Sequence, residues 1–262
     1  MFWLLLIVVI LVPLIFLLIA SFAGTWPFPR ILPASWSLRS WKYVASNMQG
    51  IAHALGSSAL YSLGAALITA LFCWLPAQFL ARHTFRGQTI LEALLLTPAL
   101  VPAITFSMGL QVLFIRLHLA DSIVGVVLIL TLVSYPYMLR SIKTGYLAYK
   151  VSYDECARNL GIGELQRLWH VELPLVLPAF LSGGTIVFLV AFSEYFLVFL
   201  IGGGTIPSFP GYLVPFLTGS DRAVASTLTL LFLLVPFALF LLQEIFLERF
   251  YRRKGITMTG KS

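Results

Sequence analysis

Charge is what this chain has least of. Only 10% of its 262 residues are Asp, Glu, Lys or Arg, against 60% apolar residues. A water-soluble domain carries about a quarter charged residues. The composition therefore excludes an ordinary soluble globule and makes a bilayer the natural solvent. Cysteine is nearly missing too: Cys73 stands in an apolar run and Cys156 in a polar one. Such a pair suggests neither a disulfide framework nor a metal site. The net charge of +7 comes from basic residues scattered between apolar runs. Nucleic-acid binders gather theirs on one stripe, so no nucleic-acid partner is expected.

Long apolar runs are what the chain does have. A membrane helix needs about 20 mostly apolar residues. Six runs qualify, at approximately 2–21, 54–80, 89–115, 122–139, 176–201 and 227–247. They predict an all-α, polytopic membrane protein with six transmembrane helices. Pro98, Pro102 and Pro136 interrupt the third and fourth runs. Proline is tolerated there when neighbours or water satisfy the freed carbonyl, so these positions mark either packing kinks or bends around a pathway.

Orientation follows from the loop charges. Twelve basic residues fall on one side: Arg82, Arg86, Arg140, Lys143, Lys150, Arg158, Arg167, Arg249, Arg252, Arg253, Lys254 and Lys261. Five fall on the other: Arg30, Arg39, Lys42, Arg116 and Arg222. The richer side is predicted to be cytoplasmic, and with six spans both termini are cytoplasmic. The expected organisation is one transmembrane domain over 1–262, with a cytoplasmic loop at 140–175 and a basic cytoplasmic tail at 248–262. MFWLLLIVV enters the membrane with no basic residue before it, and it lacks the charged region and cleavage site of a secretory signal. Either the true start lies upstream of Met1 or the later charges set the topology. Trp26, Trp36 and Trp41, in the loop after the first span, suit an interfacial belt.

The last residues, GITMTGKS from Gly255 to Ser262, match the phosphate-loop pattern GxxxxGK[ST]. That pattern holds phosphate only between a strand and a helix N-terminus. Here a membrane helix precedes it, and the basic residues are suited to anionic headgroups. The chain is not expected to bind or hydrolyse ATP. No catalytic residue set and no metal site is predicted, and the chain is not expected to be an enzyme.

The most polar stretch is DECARNLGIGELQRLWHVELP, Asp154 to Pro174. It reads as a helix, a glycine turn at Gly161 and Gly163, a short amphipathic helix, and a proline where the chain re-enters the membrane. Leu165, Leu168 and Trp169 fall at i, i+3 and i+4, one apolar face. A helix this short is not stable alone in water. Its face either docks on a soluble partner, lies among headgroups or packs on its own bundle.

The spacing Glu155-Cys156-Ala157, three residues, Gly161, nine residues, Val171-Glu172-Leu173-Pro174 resembles the EAA-x3-G-x9-I-x-L-P motif of permease subunits of binding-protein-dependent ABC importers. Cys156 and Val171 depart from it conservatively. WSLRSWKYV after the first span and FLVAFSEYFLVFLIGG in the fifth look like the polyamine/iron/thiamine branch of that family. The resemblance covers nearly the whole chain. It implies a multi-pass bacterial inner-membrane permease subunit that forms the translocation path for a solute. Its partners would be two copies of a separate ATPase subunit, a second permease subunit (identical or homologous), an extracytoplasmic solute-binding protein and membrane lipid. ATP and Mg would be held by the ATPase, with no cofactor on this chain. The coupling helix would run from about Gly163 to His170. Leu165, Leu168 and Trp169 would pack on the ATPase, Glu155 and Arg158 would make polar contacts, and Gly161 would form the turn. Ala157, Leu173 and Pro174 would complete the motif.

Glu194 lies in AFSEYF of the fifth span. A charge inside a membrane usually faces a cavity or a partner. Ser193, Glu194 and Tyr195 either border the path, where the carboxylate suits a cation, or serve a structural hydrogen bond. Tyr135 is a further lining candidate. A polyamine is the first expectation for cargo, with iron(III), thiamine and phosphonate compounds as alternatives. An ion-coupled secondary transporter is the rival of another class. It would need paired ion sites and often an inverted repeat, and neither is visible.

Overall fold

A computed structural model describes residues 2–27, 29–149 and 151–253. The GITMTGKS segment lies outside them. The elements in order are helix α1 (Phe2–Ser21), a short antiparallel ribbon of β1 (Ala23–Thr25) and β2 (Ser35–Trp36), then α2 (Arg39–Ser46), α3 (Met48–Arg82), α4 (Gln88–Leu100), α5 (Ala103–Arg116) and α6 (Ile123–Ala148). There follow α7 (Val151–Asn159), α8 (Glu164–Arg167), a π-helical stretch (Leu168–Glu172), α9 (Leu173–Ser193), α10 (Phe196–Ile201), α11 (Phe209–Thr218) and α12 (Arg222–Arg253).

Among the described residues, four helical stretches are long and apolar enough to cross a membrane: Met48–Arg82, Ile123–Ala148, Glu164–Ser193 and Arg222–Arg252. α4 and α5 qualify only together, and they meet at a bend of 93°. The third expected run, which Pro98 and Pro102 interrupt, is therefore a broken one, with the break at Val101–Pro102. Its cause is local: Val101 precedes Pro102 and takes an extended ψ of 128°, because the proline ring disfavours a helical conformation in the residue before it. Pro102 then caps α5. The first expected span is helical over Phe2–Ser21, with Ile7–Ser21 as its shorter apolar part. The six expected runs thus correspond to four long helices, one bent pair and this first helix.

Two other boundaries differ. The fourth span runs past Leu139 to Ala148. Apolarity fades there, but Ile142 and Tyr146 keep one face buried, and an amphipathic stripe sustains a helix as well as a uniform one does. It starts at Ser122, whose hydroxyl accepts the Gly125 N–H at 3.0 Å, a normal N-cap. The fifth span stops at Ser193, where Glu194 takes an extended ψ of 117°. α10 is a separate helix.

The chain divides into two compact units. The first comprises residues through Ala59 with Pro207–Ala238. Its core pairs residues one helical turn apart: Ile51 and Ala54 of α3, Phe209 and Leu213 of α11, Val224 and Leu228 of α12. Arg39 and Asp221 join α2 to the start of α12 by two bonds of 2.7 Å. Tyr43 and Tyr212 share a hydroxyl contact of 3.2 Å.

The second unit comprises Leu60–Ile206 with Leu239 onward. One core gathers Cys73, Ala77, Met138, Ile142 and Val176; the other gathers Tyr61, Ala65, Val126, Leu130, Leu197 and Ile201. α6 and α9 approach closely. A Cβ on Gly145 would stand 2.4 Å from the Ala179 Cβ, and one on Gly183 would meet Met138 Sδ at 2.7 Å. Small residues at such crossings let membrane helices pack backbone to backbone.

Candidate functional site

α7 carries Glu155, Ala157 and Arg158. Ala157 is buried, while Glu155 and Arg158 are exposed. The helix ends in a two-bond glycine cap: the Ile162 N–H reaches the Ala157 carbonyl at 3.1 Å and the Gly161 N–H reaches Arg158 at 2.9 Å. Gly161 has φ +73°. This is the Schellman arrangement, which needs a left-handed residue after the last turn. Gly163 has an ordinary extended backbone and caps the next helix.

The expected packing residues separate. Leu165 is 71% and Trp169 57% exposed, while Leu168 is half-buried. Leu160, just before the glycine, is 73% exposed. Arg167 is buried. Leu165 and Trp169 lie four residues apart and so share one helix face. Leu160, Leu165 and Trp169 are thus three largely exposed apolar side chains of this block.

The short helix does not stop before the membrane. α8, the π stretch and α9 form one continuous helical run, Glu164–Ser193. The Leu173 N–H bonds the Leu168 carbonyl five residues back. Pro174 sits in the first turn of α9, where a missing N–H is tolerated, and the π register ahead of it absorbs the change in hydrogen bonding. Leu173 is half-buried and Pro174 buried. The Pro174 carbonyl accepts the Tyr251 hydroxyl of α12 at 2.9 Å.

Glu172 is the residue that sequence reasoning missed. It lies in the π stretch, at the variable position between Val171 and Leu173, and is 3% exposed. Its Oε1 accepts from the Gln78 amide and the Tyr146 hydroxyl, each at 2.8 Å. Its Oε2 accepts from Arg82 at 3.1 Å. Trp74 Nε1 donates to the Tyr146 hydroxyl at 2.6 Å, and the Arg82 guanidinium lies 5.4 Å from the Tyr146 ring centre. A buried carboxylate is retained only when it is paired and hydrogen-bonded. This hub pins the base of the polar block to α3 and α6. The available sequence signal was a Glu next to Leu-Pro with an Arg at the end of α3, but the partners are about 90 positions apart and share no local pattern.

Ser193, Glu194 and Tyr195 lie together at the break between α9 and α10. The Ser193 hydroxyl bonds the Leu189 carbonyl at 2.8 Å. Glu194 Oε1 accepts the Leu197 N–H at 3.1 Å, so the carboxylate caps α10. Tyr195 stacks on Phe199 at 5.9 Å. Tyr135 is engaged elsewhere: its hydroxyl donates to the Leu95 carbonyl of α4. Glu92 pairs with Lys143 at 2.5 Å.

A solved structure of a bacterial ABC transporter involved in the import of the acidic polysaccharide alginate has a chain of the same fold. It superposes with a TM-score of 0.66 over 92% of this chain and 91% of that chain, at 16% identity. The molybdate/tungstate transport system permease protein WtpB of Pyrococcus abyssi is 31% identical over 144 residues, 55% of this chain and 58% of that protein. The sulfate transport system permease protein CysT of Salmonella typhimurium is 26% identical over 172 residues, 61% of this chain and 62% of that protein. The chain thus spans somewhat over half the length of the curated relatives it matches. Residues 75–254 match the family described as binding-protein-dependent transport system inner membrane component. With more than half of its length inside that match, including the Glu155–Pro174 block and the Glu172 hub, the chain belongs to the family of inner membrane components of binding-protein-dependent transport systems.

Proposed function

We propose that this chain is the permease subunit of an ABC importer, a multi-pass inner-membrane protein that forms a solute path and takes its power stroke from a separate ATPase. The observation that carries the proposal is the exposure of the apolar side chains Leu160, Leu165 and Trp169 in the polar block. Leu165 and Trp169 stand on a helix that continues without interruption into a membrane-length span, and Leu160 lies just before the Gly161 turn that leads into it. A partner that grips Leu165 and Trp169 is joined to α9 by one continuous helical run from Glu164 to Ser193. The glycine turn at Gly161 fixes how α7 meets that lever. Two ATPase copies, a second permease subunit, identical or homologous, and an extracytoplasmic binding protein complete the assembly. ATP and Mg belong to the ATPase. The polar block and both termini face the cytoplasm, as the loop charges favour.

The cargo reading shifts from a cation to a small oxyanion. The polyamine expectation rested on Glu194 and on the branch resemblance; the Glu194 carboxylate accepts the Leu197 N–H of α10. The relatives are named for molybdate, tungstate and sulfate transport, a class that also suits phosphonates.

The test is co-purification from the native membrane in mild detergent. The native chain is expected to bring an ATPase subunit with it, and Leu165→Asp with Trp169→Asp to lose that subunit while keeping its own elution profile. A chain that purifies alone under conditions where a known ABC complex survives would refute the proposal. Uptake that needs no ATPase and collapses with the proton gradient would make it a secondary transporter instead.

A further inference from the structure

α6 and α9 enclose an open groove of about 570 Å³. Its floor is the close crossing of Gly145 and Ala179. Tyr137, Arg140, Ser141 and Thr144 project from successive turns of α6, and Ser182 faces them from α9. No lining residue is acidic.

Two of the hydroxyls are already engaged: Ser141 donates to the Ala179 carbonyl at 2.7 Å and Thr144 to the Arg140 carbonyl at 2.9 Å. Three donor groups remain without an acceptor among the described residues: the Arg140 guanidinium, the Tyr137 hydroxyl and the Ser182 hydroxyl. The neighbouring cations are neutralised. Lys143, on the next turn, pairs with Glu92, and Arg82 pairs with Glu172. Arg140 is thus the charge of this groove; its side chain is exposed and lies toward the end of α6 that the loop charges assign to the cytoplasm. A guanidinium fork with two flanking hydroxyl donors and no competing carboxylate is suited to bidentate recognition of a tetrahedral oxyanion. It disfavours a cation.

We propose that the α6–α9 groove binds a tetrahedral oxyanion group, held by Arg140 with Tyr137 and Ser182. The reading of that group as cargo rests on the importer function proposed above; a phospholipid phosphate offers the same chemistry. Its volume leaves room for water on the open side, so a bound ion keeps part of its hydration shell and can leave again.

The experiment is equilibrium dialysis of the full chain, purified in neutral detergent, against radiolabelled sulfate and molybdate at constant ionic strength. Saturable binding is expected, each ion competing with the other and putrescine competing with neither. Arg140→Gln is expected to weaken binding about tenfold or more, the effect of losing one charge-assisted contact. Arg140→Lys should recover part of it, Ser182→Ala and Tyr137→Phe should lose less, and Arg116→Gln should lose none. If neither ion binds but phosphatidylglycerol stays with the native chain and leaves the Arg140→Gln chain, the site holds a lipid headgroup. If Arg140→Gln changes neither, or neither ligand binds the native chain, the proposal is overturned. Should Arg140→Gln elute abnormally, the Lys, Ser182 and Tyr137 variants decide. The ATPase pull-down depends on Leu165 and Trp169 rather than Arg140, so this inference and the importer reading fail separately.

Discussion

The Tyr146 hydroxyl donates to Glu172 Oε1 at 2.8 Å. One member lies at the end of α6, the other at the base of the polar block. Gln78 and Arg82 of α3 donate to the same carboxylate. Three stretches distant in sequence therefore meet at a single buried anion.

Removing that anion strands its donors. Glu172→Ala would remove the carboxylate that Arg82 pairs with and take this acceptor from the buried Tyr146 hydroxyl and the half-buried Gln78 amide. Breaking a buried pair from one side destabilises by about 3–5 kcal/mol. Glu172→Gln keeps an acceptor oxygen and the side-chain shape, so it should lose clearly less. Thermal unfolding in one detergent should rank native above Gln above Ala. Equal melting of Ala and Gln would mean that the charge matters and the hydrogen bonds do not.

Gly161 tests the turn. Its φ of +73° is costly for any residue with a Cβ, about 1–2 kcal/mol, while the space around it is open. Strain and not crowding is the expected penalty. Gly161→Asn should therefore be tolerated better than Gly161→Val, since Asn adopts left-handed backbone more readily. Protease protection of the Asp154–Gly163 segment reads this directly. A Val variant as protected as the native chain would argue against a turn that depends on left-handed backbone.

Much of this was legible from residue patterns, and the reasons for the rest are physical. Apolar length marked the helices, and the Gly161 spacing marked a turn that the structure closes with two bonds. The 93° bend between α4 and α5 was only hinted at by Pro98 and Pro102. A membrane helix may carry proline with or without a break, and Pro98 and Pro136 sit inside their helices. Pro174 stands in the first turn of α9, as expected, but the π stretch ahead of it joins the short helix and α9 into one run. Leu168 was grouped with Leu165 and Trp169 by periodicity, but its side chain turns partly inward as the run passes into π geometry. Glu172 was invisible because its meaning lies in residues on α3 and α6. Glu194 was visible and ambiguous: an acid in a membrane run looks like a path residue, whereas the local break gives it a cap to make.

The α6–α9 crossing separates crowding from intrinsic helix preference. Ala at Gly145 would bring Cβ to 2.4 Å from Ala179 Cβ, whereas Ala at Gly184 would meet only the Met138 methyl at 3.9 Å. Gly145→Ala should destabilise by about 1–3 kcal/mol, as overpacking does. Gly184→Ala should be neutral or slightly stabilising, because Ala is the better helix former. Paired melting curves test this. A neutral Gly145→Ala would mean that the two helices can slide apart without loss, and the oxyanion groove above them would then be expected to change shape as well.

The Arg39–Asp221 pair gives the pH prediction. The Arg39 hydrogen bonds hold the Asp221 carboxyl below its ordinary pKa, against a smaller opposing effect of burial. A depressed carboxylate contributes stability that is present above its unfolded pKa, about 3.9, and is lost as pH falls through the lower folded value. Both side chains are substantially solvated, at 58% and 33% exposure, so the contribution at pH 7 should be no more than about 1 kcal/mol and should shrink with added salt. Asp221→Asn should therefore melt slightly below the native chain at pH 7. The gap should close as the pH falls through the lowered folded value, where the native carboxyl is also protonated. Asp221 also accepts the Val224 N–H at 3.3 Å. Asn can still provide that cap, so the comparison removes the charge and one of the two Arg39 hydrogen bonds while keeping the cap. A gap that persists unchanged at low pH would assign the link to hydrogen bonding and shape rather than to the ion pair.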